Sequence, residues 1–286
     1  MAVVLALLSA LAYAAASVLQ QRAAREVPEE HSLKVGLLWR LIQRPMWLLG
    51  TAADWLGYGL QALALGVGSL LLVQPLLCTG LLFALPIGAR WSGRRLSRRD
   101  WAAAIALTVA LTVFLLVGEP TAGKDFASDR AWIVTALVLG PVIAGCWIAA
   151  TRVRGTARAV LLALATAVLY AITAVITKSA VTLLGQGVGE LVTSWELYVG
   201  LSAAFLGLVL NQSAFQAGEL TASLPILTTV EPIVGSVLGV LMLDEAIQAT
   251  GVLAWVAVVA GVGVMVWSIV VLAQSSARAE QRSVHP

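Results

Sequence analysis

Apolar segments long enough to cross a membrane recur along almost the whole chain, and this pattern limits its fold more than any other feature. About 20 consecutive apolar residues form a helix that spans the roughly 30 Å hydrocarbon core of a bilayer. Hydrophobic residues make up 60% of the 286 residues, charged residues make up only 12%, and the mean hydropathy is +0.92. The sequence therefore predicts an all-α polytopic membrane protein without a separate soluble domain.

Nine transmembrane helices are predicted. The segment 32–44 is apolar at helical spacing but too short to cross the bilayer, so we interpret it as an interfacial amphipathic helix. A tenth helix there, degenerate or re-entrant, is the alternative. The nine predicted spans are Ala2–Arg22, Met46–Gly66, Ser69–Ala89, Trp101–Gly118, Ala131–Ala150, Ala157–Leu183, Ser194–Gln216, Glu219–Leu243 and Thr250–Leu272.

The basic residues between the predicted spans lie almost entirely on one side of the membrane. Only Lys124 and Arg130 fall on the other side. Because positively charged loops stay in the cytoplasm, the C-terminus is predicted inside and the N-terminus outside. Arginine is far commoner than lysine and alanine is abundant, a bias typical of GC-rich bacterial genomes. The expected location is therefore a bacterial cytoplasmic membrane, which the chain crosses many times.

The two halves of the chain resemble each other. Tyr13 aligns with Tyr170, and further along the chain a constant offset places Pro75 on Pro225. With nine spans, each early helix crosses in the direction opposite to its counterpart, so the repeat is predicted to be inverted, as in alternating-access transporters. The predicted domains are a first transmembrane repeat at 1–118 that includes the helix 32–44, a linker and connecting helix at 119–156, a second transmembrane repeat at 157–272, and a cytoplasmic tail at 273–286.

The second repeat carries a familiar pattern. The stretch 228–235, with Glu231 followed by Pro232, runs into the acidic turn Asp244–Glu245. This apolar helix with a proline and an acidic end resembles the EamA-like repeat of the drug/metabolite transporter superfamily. The nine-span count, Asn211, Lys178 and the run 73–76 are similar to the NIPA-type magnesium transporters. The resemblance implies a transporter made of two inverted repeats, with a magnesium or other divalent-cation transporter as one alternative.

Glu231 lies near the centre of the apolar stretch 220–243. A charged side chain at the middle of a bilayer costs about 2.5–3.5 kcal/mol on insertion scales. Such a residue survives with a partner, a proton or a water-lined cavity, so Glu231 is a candidate binding or coupling residue. A protonated carboxyl that serves packing alone is the alternative. Asp54, in the second span, is the second candidate.

Other polar residues in the spans recur at helical spacing and form stripes that should face the bundle interior. We expect these stripes to line one cavity, although hydrogen bonding between helices for packing is the alternative reading of each. If the substrate is a divalent cation, Glu231 and Asp54 are the expected metal ligands, because hard cations take several oxygen ligands. The remaining candidate substrate-binding or coupling residues are Tyr13, Gln20, Tyr58, Gln61, Tyr170, Thr173, Thr177, Asn211 and Thr228.

No sequence motif indicates catalysis or a cofactor. The chain contains no GxxxxGK[ST], GxGxxG, GxSxG or HExxH pattern in a suitable context, and its two cysteines form no CxxC. We therefore expect a secondary transporter of a small metabolite, drug or cation, driven by a proton or ion gradient, rather than an enzyme. A non-transporting scaffold or accessory subunit is the alternative from another class. Expected partners are membrane lipids, the substrate and, as one option, a second copy of the chain, but no nucleic acid.

Overall fold

The computed structural model describes residues 1–25, 42–91, 96–217 and 220–284, and these residues are almost entirely helical. The predicted interfacial helix 32–44 therefore lies almost wholly outside the described residues. The helices are α1 (Ala2–Arg25), α2 (Pro45–Gly66), α3 (Leu70–Leu77), α4 (Gly80–Trp91), α5 (Arg98–Gly118), α6 (Asp129–Arg152), α7 (Gly155–Gln186), α8 (Val188–Thr193), α9 (Trp195–Ala217), α10 (Leu220–Leu243) and α11 (Val252–Val284). Two short strands, β1 (Pro120–Thr121) and β2 (Ala246–Ile247), pair in antiparallel fashion.

Seven of the described helices are long and apolar enough to cross a membrane, so the prediction of an all-α polytopic membrane protein is confirmed. Large apolar side chains remain on the outside of the bundle, as a lipid-facing surface requires; Leu116 and Leu241 are each 72% exposed. The seven segments are Ala2–Gln20, Arg98–Gly118, Asp129–Arg152, Gly155–Gln186, Trp195–Ala217, Ile226–Leu243 and Val252–Leu272.

The predicted span Ser69–Ala89 differs from a single helix, because it is divided at Cys78 and Thr79 into α3 and α4. The Cys78 amide donates to the Pro75 carbonyl at 3.2 Å, and the Thr79 amide donates to the Leu76 carbonyl at 3.0 Å. Each bond spans three residues instead of the four of an α-helix, so the chain makes a tighter turn here. The Thr79 hydroxyl also donates to the Leu76 carbonyl, at 2.6 Å. This local turn satisfies the carbonyls at the end of α3 and interrupts the helix inside the bundle.

Helix α7 forms the centre of the bundle. In its most apolar stretch 72% of the residues are buried inside the protein, a far larger share than in the other membrane-length helices. It packs against α2, α6, α9 and α10, whereas α5 packs against α11. Side chains on α7 are therefore the ones best placed to contact both halves of the chain.

Two helix pairs pack through glycines at matching positions. A methyl group added at Gly57 in α2 would lie 2.9 Å from the Tyr13 ring of α1. In the second half, a methyl group added at Gly207 in α9 would lie 2.6 Å from the Tyr170 ring of α7. Both α1 against α2 and α7 against α9 thus bring a tyrosine onto bare helix backbone. Gly50 beside Gln20 and Gly200 beside Ile176 repeat this close approach about two turns away.

The loops after α5 and α10 meet at one end of the bundle, which we call the β1–β2 end. The Gln248 amide donates to the Gly118 carbonyl at 2.8 Å, and the Lys124 amide donates to the Leu243 carbonyl at 2.6 Å. An ion pair of 2.5 Å joins the exposed side chains of Lys124 and Asp244. Two connections that are distant in sequence are therefore tied together at this end.

Candidate functional site

Glu231 on α10 and Asp54 on α2 lie close enough to interact electrostatically. Both side chains are half-buried. Among the residues that the structure describes, neither carboxyl forms an ion pair with a basic side chain. Asp54 instead lies beside the side chain of Gln20 on α1. Two carboxyls from different helices thus share one polar region inside an otherwise apolar bundle.

Polar side chains of α1 and α2 bind one another beside these carboxyls. The Tyr13 hydroxyl donates to Oε1 of Gln61 at 2.6 Å, and the Ser9 hydroxyl donates to the Gly57 carbonyl at 2.7 Å. Tyr13 also interacts electrostatically with Asp54 and Glu231. The close approach at Gly57 is what allows the Tyr13 ring to reach across α2 to this position.

The polar region continues onto the second half of the chain. The hydroxyls of Tyr58 on α2 and Thr177 on α7 lie 2.8 Å apart. Nε2 of Gln212 on α9 donates to Oε1 of Gln20 at 3.3 Å. These two contacts connect helices of the first predicted repeat directly to helices of the second.

Tyr170 joins the same region from α7. It lies near Asp54 and Glu231, beside the Asn211 side chain. The Thr173 hydroxyl, by contrast, donates at 2.9 Å to the Leu169 carbonyl of its own helix. Thr173 is therefore a buried residue whose hydroxyl bonds within α7.

Gln74 in α3 and Cys78, directly after α3, both face α10. The Cys78 thiol donates to the Thr228 carbonyl of α10 at 3.9 Å and to the Gln74 carbonyl at 3.6 Å. Pro232 has no amide hydrogen to offer the Thr228 carbonyl, which leaves that carbonyl as an acceptor. Cys78 also lies near Glu231.

A buried ion pair lies at the β1–β2 end. Nζ of Lys178 on α7 is 2.8 Å from Oε1 of Glu245, and the two side chains are only 3% and 0% exposed. The same carboxylate accepts the amides of Leu70 at 2.8 Å and Leu71 at 2.9 Å, at the N-terminus of α3. Anions are stabilised at helix N-termini, where free amides point outward. Lys178 therefore points into the protein rather than to the membrane interface.

Sequence reasoning missed Gln74 and the ion pair of Lys178 with Glu245. Gln74 is fully buried and lies in a membrane segment, so the rule that selected the other polar residues also applied to it. Lys178 and Glu245 are 67 positions apart, and nothing local in the sequence indicates their pairing.

A metal centre of three or more His, Cys, Asp or Glu side chains is absent from the described part of the chain. A divalent cation at this site would therefore depend on Glu231 and Asp54, with neutral oxygens completing the ligand set. The neighbouring amide and hydroxyl oxygens of Gln20, Gln61 and Tyr13 are of the right chemical type.

Comparisons with known proteins identify a relative. No family model matches the chain, and no solved structure matches it significantly. The chain is 39% identical over 277 residues to the uncharacterized protein Cgl0250/cg0304 of Corynebacterium glutamicum. The match covers 96% of each chain, so the two proteins are alike over nearly their whole length.

Proposed function

The chain belongs to the family of the Corynebacterium glutamicum protein Cgl0250/cg0304, and we propose that it is a secondary transporter of a bacterial cytoplasmic membrane. It moves a small metabolite, drug or cation by alternating access, and proton binding at Glu231 and Asp54 couples transport to a gradient. We further propose that it is an EamA-like member of the drug/metabolite transporter superfamily.

The observation that carries this proposal is the pair of interacting carboxyls inside the bundle. Ionisable residues within membrane helices are costly, and they typically mark substrate pathways or proton relays. Helices from both halves contribute side chains to this region, through the Tyr58–Thr177 and Gln20–Gln212 contacts. A packing role alone requires no such accumulation of titratable groups.

Nine crossings follow if α2 and the α3–α4 pair are added to the seven membrane-length helices. Helix α2 has 22 residues, and at about 1.5 Å per residue it is roughly 33 Å long, enough to cross the hydrocarbon core. The α3–α4 pair is interrupted in its middle, and discontinuous helices are common at the binding sites of secondary transporters.

Two sets of contacts support an inverted repeat. The Tyr13–Gly57 and Tyr170–Gly207 contacts connect positions that the sequence alignment makes equivalent. In addition, Cys78 touches Thr228, and the offset that relates Pro75 to Pro225 also relates these two residues. Equivalent residues meet in this way near a pseudo-two-fold axis, which in such transporters passes close to the substrate.

Alternating access requires one end of the bundle to close while the other opens. At the β1–β2 end, Glu245 joins α7 to the N-terminus of α3 through the Lys178 ion pair and two backbone hydrogen bonds. These contacts connect the two halves of the chain, so substrate entry from that end requires them to break.

A divalent-cation transporter of the NIPA type is the second candidate. The proximity of Glu231 and Asp54 favours it, because two carboxylates facing one site bind a dication better than either alone. The two candidates share the site and differ in the substrate.

Proton flux in reconstituted vesicles tests the proposal. The purified protein is placed in liposomes that contain a pH-sensitive dye, and a panel of metal ions, organic cations and neutral metabolites is added outside under a pH gradient. We expect at least one compound to drive proton movement above the level of protein-free liposomes. The absence of any such flux from correctly folded protein contradicts a coupled transporter and favours the scaffold alternative.

A further inference from the structure

Gln74 is a buried amide with unused hydrogen-bonding capacity. It is 0% exposed, and neither Nε2 nor Oε1 has a hydrogen-bond partner among the described residues. A buried polar group without a partner costs free energy, and a leucine of similar size at this position would avoid that cost. Both amide atoms of Gln74 are therefore available to a ligand that reaches them.

The surroundings of Gln74 are shaped to hold its side chain against α10. A methyl group added at Gly235 would lie 3.0 Å from Cδ of Gln74, so the glycine provides the space that the amide occupies. Gly235 lies one helical turn from Glu231, on the same face of α10. The Gln74 amide therefore contacts α10 one helical turn away from Glu231, on the face that carries the Glu231 carboxyl.

The register of α3 against α10 places Glu231 beside the Gln74–Cys78 face. Cys78 contacts the Thr228 carbonyl, and Gln74 contacts Gly235. Glu231 lies between those two contact points along α10, and Cys78 lies near it. An occupant of the Glu231 site is therefore flanked by the Gln74 amide on the side towards the β1–β2 end.

We infer that Gln74 is a substrate-binding residue of the Glu231 site and that its amide oxygen, together with the two carboxyls, binds a positively charged group. This inference rests on the proposed transport function and adds the class of substrate. Carboxylate and amide oxygens are all acceptors, and both a hydrated divalent metal ion and an organic cation with N–H groups satisfy them. Mg²⁺ and guanidinium represent these two kinds of cation in the experiment.

Two variants remove the amide from the site by different means. Gln74→Leu replaces it by an apolar side chain of similar size, and Gly235→Ala displaces it with a methyl group. The matched control for the second is Gly140→Ala in α6, where an added methyl group meets nothing within 4 Å. All variants are made in the full chain and reconstituted with the pH-sensitive dye.

The first readout is the concentration of Mg²⁺ or guanidinium that gives half-maximal proton flux. We expect it to rise about tenfold in Gln74→Leu and in Gly235→Ala, which corresponds to about 1.4 kcal/mol, and to stay at the wild-type value in Gly140→Ala. The second readout is thermal unfolding without added cation. Gln74→Leu should unfold at the wild-type temperature or above it, because it removes an unsatisfied buried group.

The outcomes separate this inference from the proposed function. Wild-type half-saturation in both Gln74→Leu and Gly235→Ala, or a lower unfolding temperature of Gln74→Leu with unchanged flux, overturns the role of Gln74 and leaves the transporter intact. Flux in wild type with neutral compounds alone overturns the cationic substrate class. No flux with any compound overturns the transport function itself, and this inference with it.

Discussion

Replacing Lys178 by methionine should strongly destabilise the protein. Methionine keeps most of the length and apolar surface of lysine but removes the charge that lies 2.8 Å from Glu245. The Glu245 side chain is 0% exposed, so its carboxylate would remain buried without its ionic partner. Breaking a buried ion pair from one side costs about 3–5 kcal/mol. The amides of Leu70 and Leu71 still bind the carboxylate, so we expect a value near the lower end, about 3 kcal/mol.

A double variant separates the pair interaction from general damage. Lys178→Met combined with Glu245→Gln removes both charges, while the glutamine oxygen still accepts one α3 amide. We expect this double variant to be more stable than Lys178→Met alone, which gives a favourable coupling energy between the two residues. The exposed pair of Lys124 and Asp244 is the matched control, with side chains 69% and 60% exposed. Lys124→Met should cost less than about 1 kcal/mol.

The free energy of unfolding is measured by titrating the purified protein in mixed micelles with sodium dodecyl sulfate and following tryptophan fluorescence. Two results refute the reasoning. One is a loss in Lys178→Met no larger than that in Lys124→Met. The other is a double variant whose loss equals the sum of the single losses, because additivity means that the two side chains do not interact.

Three further predictions follow from the packing and the orientation. Gly57→Ala should lower the free energy of unfolding by about 1–3 kcal/mol, because the added methyl group forces the Tyr13 ring away. At Gly59 an added methyl group meets nothing within 4 Å, so Gly59→Ala should be neutral or slightly stabilising in the same unfolding titration in mixed micelles. Reporter fusions should place the N-terminus outside and the C-terminus in the cytoplasm, and an N-terminus found inside would mean that segment 32–44 crosses the membrane. In a protein that lacks Cys146, Lys178→Met should speed the modification of buried Cys78 by a membrane-impermeant thiol reagent added outside. An unchanged rate would contradict the proposal that the Lys178–Glu245 ion pair closes the β1–β2 end of the bundle.

The helices could be predicted from the sequence because apolar length and polar ends determine them locally. The span predicted at Met46–Gly66 is the helix Pro45–Gly66, and the span predicted at Trp101–Gly118 ends at the same residue as its helix. Proline is favoured in the first turn of a helix, so Pro45 extends that helix by one residue. In each case the signal lies within the segment itself.

The interruption at Cys78 and Thr79 could not be predicted in this way. The stretch from Ser69 to Ala89 is continuously apolar, and proline is tolerated inside membrane helices. The tight turn depends on hydrogen bonds to the Pro75 and Leu76 carbonyls that the apolar pattern does not record. A span predicted from hydropathy alone therefore merges two helices into one.

The candidate site divides in the same manner. Glu231 and Asp54 were predicted because a carboxyl in an apolar segment is conspicuous by itself. The partner of Lys178 was not, because it lies in the loop after α10, which reaches the N-terminus of α3 only in the folded chain. Individual polar residues can thus be identified from the sequence, but the pairs that they form depend on packing between distant helices.

The most direct test of the central claim is proton-coupled transport by a Glu231→Gln variant. Glutamine keeps the size of the side chain and its capacity for hydrogen bonding, but it cannot exchange a proton. The variant and wild type are reconstituted at matched protein levels, and proton flux is recorded with the compound that wild type transports. We predict wild-type folding, judged by unfolding temperature, together with complete loss of proton-coupled flux. Coupled flux at the wild-type rate would contradict the account, because Glu231 would then be a structural residue.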